Sequence, residues 1–150
     1  LGEPGEVANL GTALRFDDVV HCHNGCASTA GLKTKVFRSN PVPFEKRPLA
    51  LLEKHPQSTQ LFIPMNASRF IALVALGGDK PDLSTLAAFV AEGPQGISYG
   101  PGVWHHPMLT LDKQCDFVVF VHEDGSPEDC VVVDRNGEDW PILELEAIRK

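Results

Sequence analysis

The sequence predicts an all-β protein, a barrel or sandwich of short antiparallel strands, and three observations carry that prediction. First, 13 glycines and 12 prolines break the 150 residues into short pieces, and these two residues are the strongest local punctuation of regular structure. Second, the pieces between them are rich in β-branched and aromatic residues, as in Val118-Val119-Phe120-Val121 and Val131-Val132-Val133, which pack well on a pleated surface. Third, Phe70-Ile71-Ala72-Leu73-Val74-Ala75-Leu76 is continuously apolar, as expected of a strand covered on both faces. Many short strands with closely spaced turn signals indicate a barrel or sandwich.

Residues Leu1–Thr12 read as a mobile start. Strands are then expected at Val19–His23, Lys33–Arg38, Leu49–Glu53, Thr59–Pro64, Phe70–Leu76, Leu86–Val90, Gly96–Tyr99, Met108–Leu111, Phe117–His122 and Cys130–Asp134. The last segment, Ile142–Lys150, places Leu143, Ala147 and Ile148 at helical spacing and predicts a short C-terminal helix. No internal repeat, low-complexity tract or long linker divides the chain, so residues 1–150 read as one domain.

Composition narrows the function. A domain of this size buries roughly two-thirds of its unfolded surface and needs no staples. The net charge of −7 and the lack of a Lys/Arg cluster argue against a nucleic-acid partner, because phosphate binding requires a basic face. No run approaches the roughly 20 apolar residues that span a bilayer. Cys22, Cys26, Cys115 and Cys130 form no secreted disulfide pattern, and a reducing, cytoplasmic setting is expected. The chain opens at Leu1, without Met and without a signal-peptide pattern, which leaves room for a natural N-terminus further upstream.

Two segments carry the candidate chemistry. Glu53 and His55 are two apart, so on a strand they share a face; Ser58 and Gln60 do likewise, across the interruption of Pro56. Later, Pro101-Gly102 favours a type II turn, with Gly at the position of positive φ, and this turn aims His105. His105 and His106 must face opposite sides of a strand; His105 is taken as the inward one, with His106 outside or at an interface. Glu53, His55, Gln60 and His105 supply the imidazole and oxygen donors that a borderline divalent metal takes, and they serve equally as hydrogen-bonding groups in a metal-free pocket. Tyr99 and Trp104 flank His105 as candidate substrate contacts. Trp104 either walls the pocket or packs in the core, the commoner role for an aromatic beside a turn.

Between two apolar strands, Gly77-Gly78-Asp79-Lys80-Pro81-Asp82-Leu83-Ser84 forms a polar loop of the kind that carries function. Lys80 suits a substrate carboxylate; its bland role is a solvated turn lysine. His21-Cys22-His23-Asn24-Gly25-Cys26 has metal-ligand letters, yet no second pair stands at zinc-site spacing. Neither a phosphate-binding G-x-x-x-x-G-K-[ST] frame nor a G-x-S-x-G elbow is present.

Read as letters, several of these segments resemble one enzyme family. Glu53-Lys54-His55-Pro56-x-Ser58-x-Gln60-x-Phe62-Ile63-Pro64-Met65 is similar to a signature of the ureidoglycolate lyases. So are Asp79-Lys80-Pro81-Asp82-Leu83-Ser84-Thr85-Leu86-x-Ala88-Phe89 and Tyr99-Gly100-Pro101-Gly102-Val103-Trp104-His105-His106-Pro107. Asp116-Phe117-Val118-Val119 and Glu128-Asp129-Cys130 agree, and Gly11-Thr12-Ala13-Leu14-Arg15-Phe16-Asp17-Asp18 resembles the fungal branch. The match covers roughly residues 49 to 134; nothing is carried over from 19 to 48.

The resemblance implies a cupin-like β-barrel, a homodimer, and cleavage of (S)-ureidoglycolate to glyoxylate and urea in allantoin degradation. It also brings in a divalent metal, nickel ahead of manganese or zinc, with metal-free catalysis an open alternative. Cupins have a His-x-His pair and a Glu in their first motif; here Glu53-x-His55 and Gln60 stand near those places, and His105 matches the second-motif histidine. On this reading His105 or His55 is the base, or Glu53 if the histidines hold a metal. Lys80 takes the substrate carboxylate, and Gln60 takes the ureido group or the metal. Two rivals share the barrel: a metal-dependent cupin dioxygenase or isomerase, marked by oxygen consumption, and a non-catalytic small-carboxylate-binding cupin.

Overall fold

The computed structural model describes residues 4–27, 29–43, 46–66, 68–134, 136 and 139–145. Among these residues, fourteen strands run in chain order: β1 (Glu6–Ala8), β2 (Ala13–Arg15), β3 (Gly31–Ser39), β4 (Lys46–Pro48), β5 (Leu51–Lys54), β6 (Gln60–Pro64), β7 (Phe70–Ala75), β8 (Ala87–Ala91), β9 (Ile97–Tyr99), β10 (Trp104–His105), β11 (Leu109–Thr110), β12 (Cys115–Glu123), β13 (Val131–Asp134) and β14 (Ile142–Glu144). The only helical pieces among the described strands and loops are short 3-10 turns. No described helix is long and apolar enough to cross a membrane.

Two antiparallel sheets build an open barrel. One has the order β11-β7-β10-β5-β13, with β8 also on β7; the other has the order β3-β12-β6-β9. No strand is shared between them, so the barrel is not closed. Alternation decides what fills it. Along β12, Cys115, Phe117, Val119 and Val121 are buried and their neighbours less so, the period-2 signature of one covered face. Phe62, Phe70, Ala72, Ala91 and Tyr99 join them between the sheets. Strand β7 is buried on both faces, as its unbroken apolar run predicts. Its other face, Ile71, Leu73 and Ala75, belongs to a second core with Leu49, Leu52, Trp104, Trp140 and Leu145. That core lies outside the barrel, beneath the segments leading into β4 and β14, which pair with each other.

Most expected strands lie within two residues of the observed ones. Within the described part of residues 1–12, β1 pairs with β2 from Glu6↔Arg15 to Ala8↔Ala13. Two expectations need correction. Residues 19–23 form no strand; there the chain is tethered by an Asn24↔Ser58 bridge and by Thr59 N–H donating to the His23 carbonyl at 3.0 Å. The expected C-terminal helix begins as strand β14, because pairing to Lys46–Pro48 satisfies its backbone; residues 146–150 lie outside the described ones.

Candidate active site

Strand register creates the site. His105 on β10 stands directly opposite Glu53 on β5 and opposite Val74 on β7. Directly opposed residues in an antiparallel sheet share a face, and Val74 packs into the barrel interior, so Glu53 and His105 point inward. Gln60 at the start of β6 stands opposite Tyr99 at the end of β9, which brings both from the facing sheet. The Pro101-Gly102 turn forms as expected, with Gly102 at φ 76° and Val103 N–H donating to the Gly100 carbonyl at 3.2 Å. Gly102 N–H also donates to the His55 carbonyl at 2.9 Å, locking this turn to the end of β5.

The rings then stack in series. Tyr99 and His105 lie face to face at 4.1 Å and 10°, and His55 follows at 5.8 Å from His105. His55 is 6 % exposed and His105 1 %. His55 Nδ1 donates to the Asp129 carbonyl at 2.8 Å and His105 Nδ1 to the Val103 carbonyl at 2.9 Å. A carbonyl only accepts, so both Nδ1 atoms carry hydrogen, and in its neutral form each ring presents a bare Nε2. Those two Nε2 atoms, with Gln60 Oε1 and Tyr99 OH, are buried and have no hydrogen-bond partner.

Such a concentration of unmet polar atoms marks a place built for something else to bind. Ligand atoms of Glu53, His55 and His105 all lie within 4.8 Å of one another. His105 Nε2 is 3.5 Å from Glu53 Oε1, two electron-rich atoms brought together, which calls for a proton or a cation between them. Imidazole nitrogens fixed by carbonyls on their far side and a carboxylate are the donor set a borderline divalent ion takes. The residues present therefore fit a metal.

Electrostatics sharpens the roles. Burial works to raise the Glu53 carboxyl, but the imidazoles of His105, His55 and His106 beside it outweigh burial and hold Glu53 below its ordinary value. Burial pushes His55 down, towards the neutral base. Burial, reinforced by Glu53, pushes the Tyr99 hydroxyl far up, so it stays a donor. Cys130 is also pushed up, to about 11, by burial and by Glu53; its thiol stands 4.0 Å from Glu53 Oε2.

The structure brings Glu53, His55, Gln60, Tyr99 and His105 together and separates two other expected residues. Trp104 faces away from His105 and is fully buried in the outer core, its Nε1 donating to the Gly78 carbonyl at 3.1 Å under Lys54. Lys80 is exposed and lines a cavity with Leu83, Val133 and Trp140 on that outer side. His106, expected outside or at an interface, is buried, with Nδ1 2.6 Å from the Pro107 carbonyl. All four cysteines are free, and the His21–Cys26 segment gathers no metal-ligand group among the described residues. Sequence reasoning missed Cys130, the Asp129 carbonyl, and the Lys35–Glu123 pair on the inner face of β3 and β12. The alternation Lys33, Lys35, Phe37 was the one available signal for the last.

Comparison with known proteins bears on this geometry. The sequence model described as ureidoglycolate lyase matches residues 2–139. The ureidoglycolate lyase of Pseudomonas syringae pv. tomato is 38% identical over 122 residues, covering 81% of this chain and 70% of that protein. Those of Salmonella paratyphi B and Salmonella typhimurium are each 48% identical over 81 residues, covering 54% of this chain. The chain spans about half the length of these Salmonella relatives, 49%. Among solved structures, RmlC from Streptococcus suis is similar at a TM-score of 0.45 and 14% identity, over 65% of this chain and 46% of that one. A 3,4-ketoisomerase from Helicobacter canadensis is similar at 0.44 and 15%, over 85% and 84%.

Proposed function

The chain belongs to the ureidoglycolate lyase family, and from that premise we propose that it cleaves (S)-ureidoglycolate to glyoxylate and urea. The observation that supports this most is the convergence of two bare histidine nitrogens, one amide oxygen and one carboxylate in a single buried cluster.

Ureidoglycolate carries a hydroxyl and a ureido nitrogen on one carbon, beside a carboxylate. In the elimination, a base removes the hydroxyl proton, the C–O bond becomes the glyoxylate carbonyl, and the C–N bond breaks. The departing nitrogen takes a proton and leaves as urea. No water is consumed, and no covalent intermediate is needed.

His55 is the better base of the two histidines. Its Nδ1–H is committed to the Asp129 carbonyl, and burial keeps its ring neutral with Nε2 free. The proton that His55 Nε2 takes from the hydroxyl is the one the departing nitrogen needs, so His55 returns it, while the bare His105 Nε2, 3.5 Å from Glu53 Oε1, accepts a hydrogen bond from the substrate. Glu53, His55 and His105, with Gln60 as a further oxygen donor, would hold a divalent cation, which would supply Lewis-acid polarisation of the hydroxyl and carboxylate oxygens. With both Nε2 atoms so engaged, the Glu53 carboxylate oxygen left over would be the group to move a proton. Tyr99 OH, a fixed donor with no partner, is aligned by its stack on His105 and suits a developing carbonyl oxygen. The reading takes residues 1–150 as one unit and the protein as a cytoplasmic homodimer, which light scattering checks for the dimer.

The test is turnover of (S)-ureidoglycolate by EDTA-treated protein, with glyoxylate, urea and ammonia all quantified, repeated with nickel, manganese or zinc. Equimolar glyoxylate and urea are expected. Ammonia in place of urea would make the enzyme an amidohydrolase, and no turnover with any metal would leave a binding protein.

A further inference from the structure

The ureido end of ureidoglycolate is underserved by the residues assigned so far. It carries a carbonyl oxygen and three N–H groups, and Gln60 Oε1 offers one acceptor. The geometry points to Lys35 and Glu123 as the subsite for this end; the assignment rests on the lyase reading.

Lys35 stands directly opposite Val119, which is fully buried in the barrel interior, so its side chain leaves from the inner face. Glu123 ends β12 four residues beyond Val119, on the same face. Lys35 Nζ and the Glu123 carboxylate meet at 2.6 Å. Their side chains are 39% and 16% exposed, which places the pair at the mouth rather than in the sealed core. Glu123 is near enough to act on the charge of both His55 and Cys130, and Lys35 on that of Cys130. The Cys130 sulfur in turn touches Glu53. The pair therefore borders the cluster, on the side where β12 leads into β13.

Its chemistry selects the class of group it would take. A carboxylate approaching the pair is attracted by Lys35 and repelled by Glu123 at nearly the same distance. A neutral group with both a donor and an acceptor edge gains from each partner. The ammonium has two donors left after Glu123, and the carboxylate has lone pairs left after Lys35. The ureido group matches: its carbonyl oxygen accepts from Lys35, and its N–H groups donate to Glu123. The substrate's own carboxylate and hydroxyl are then left at the Glu53–His55–His105 end.

Two small probes separate these ends. N-carbamoylglycine keeps the ureido group and carboxylate but lacks the hydroxyl, so it cannot undergo the elimination. Glycolate keeps the hydroxyl and carboxylate but lacks the ureido group. Titration of each into wild type, Lys35→Met, Glu123→Gln and Lys35→Arg is followed by NMR shifts. Loss of one charge-assisted hydrogen bond predicts about tenfold weaker N-carbamoylglycine binding in Lys35→Met and Glu123→Gln. Glycolate binding stays at the wild-type value, Lys35→Arg retains most N-carbamoylglycine binding, and KM for ureidoglycolate rises more than kcat falls. A part-exposed ion pair contributes little to stability, so the variants should melt near wild type. Unchanged N-carbamoylglycine binding, equal weakening of glycolate, or a wild type that binds neither probe would overturn the assignment. Failure of the lyase reading looks different: wild type would release no urea, while the contrast between the probes would still decide the subsite.

Discussion

Leu52 and Trp104 lie on the outer face of one sheet; Glu53 and His105, their neighbours in the chain, lie on its inner face. Outside, Leu52, Leu73, Ala75 and Trp104 are sealed against Leu49, Trp140 and Leu145, and the single polar atom of Trp104 has its partner in the Gly78 carbonyl. Inside, four polar atoms within the cluster have none. Each large side chain sealed outside contributes about 1.5–3 kcal/mol, and each buried orphan inside costs about 1–3 kcal/mol. Strands β5 and β10 thus stabilise the molecule with one face and carry part of a destabilising, reactive cluster on the other. Because alternation along a strand is strict, a site can sit one residue from a core without sharing its job.

The sharpest way to break that division is to truncate the inner face. His55→Ala or His105→Ala is expected to lower kcat/KM by about 10²–10⁴-fold, the scale of lost acid–base catalysis, with the circular dichroism spectrum unchanged. Near-normal turnover in both variants would sink the assignment of the cluster. The matching change outside, Trp104→Ala, is expected to cost about 3–5 kcal/mol of stability by opening a core cavity, read from urea unfolding, while KM stays at the wild-type value. A raised KM with unchanged stability would make Trp104 a pocket wall instead.

Acid should strain the inner face next. Burial lowers both His55 and His106 from their ordinary value of 6.5, so below that value the unfolded chain binds more protons than the folded one. Their contribution to stability is present above pH 6.5 and is lost as pH falls through the lower folded values. Glu53, also held low, adds a loss in the same direction at still lower pH. The urea midpoint of EDTA-treated protein should therefore drop as pH falls below 6.5; a flat midpoint would mean the buried rings are already charged. The smallest effect is expected at Lys80, on the outer side. Lys80→Ala should change stability by less than about 0.5 kcal/mol and leave KM unmoved, and a large rise in KM would return Lys80 to the substrate.

Much of this was legible from residues. The unbroken apolar run of β7 announced a strand buried twice, and Pro101-Gly102 announced the turn that aims His105. The motif letters named the family. The errors also have reasons. Ile142–Glu144 has helix-compatible spacing, but a partner strand, Lys46–Pro48, was available to satisfy its backbone, and tertiary pairing overrides weak local preference. Lys80 had the right charge in a polar loop, and only the packing shows that this loop lies against Trp104 on the outer side of the sheet.

By itself, then, the sequence determined the β class, the strand spacing and the residue types of the cluster, since these follow from local alternation and turn chemistry. Only the tertiary structure decided which face of each strand became the inside. That choice depends on pairings between distant segments: β10 beside β5 joined His105 to Glu53, β9 beside β6 joined Tyr99 to Gln60, and β12 beside β3 turned Lys35 inward. A shift of one residue in any of these registers would have sent every side chain to the opposite face.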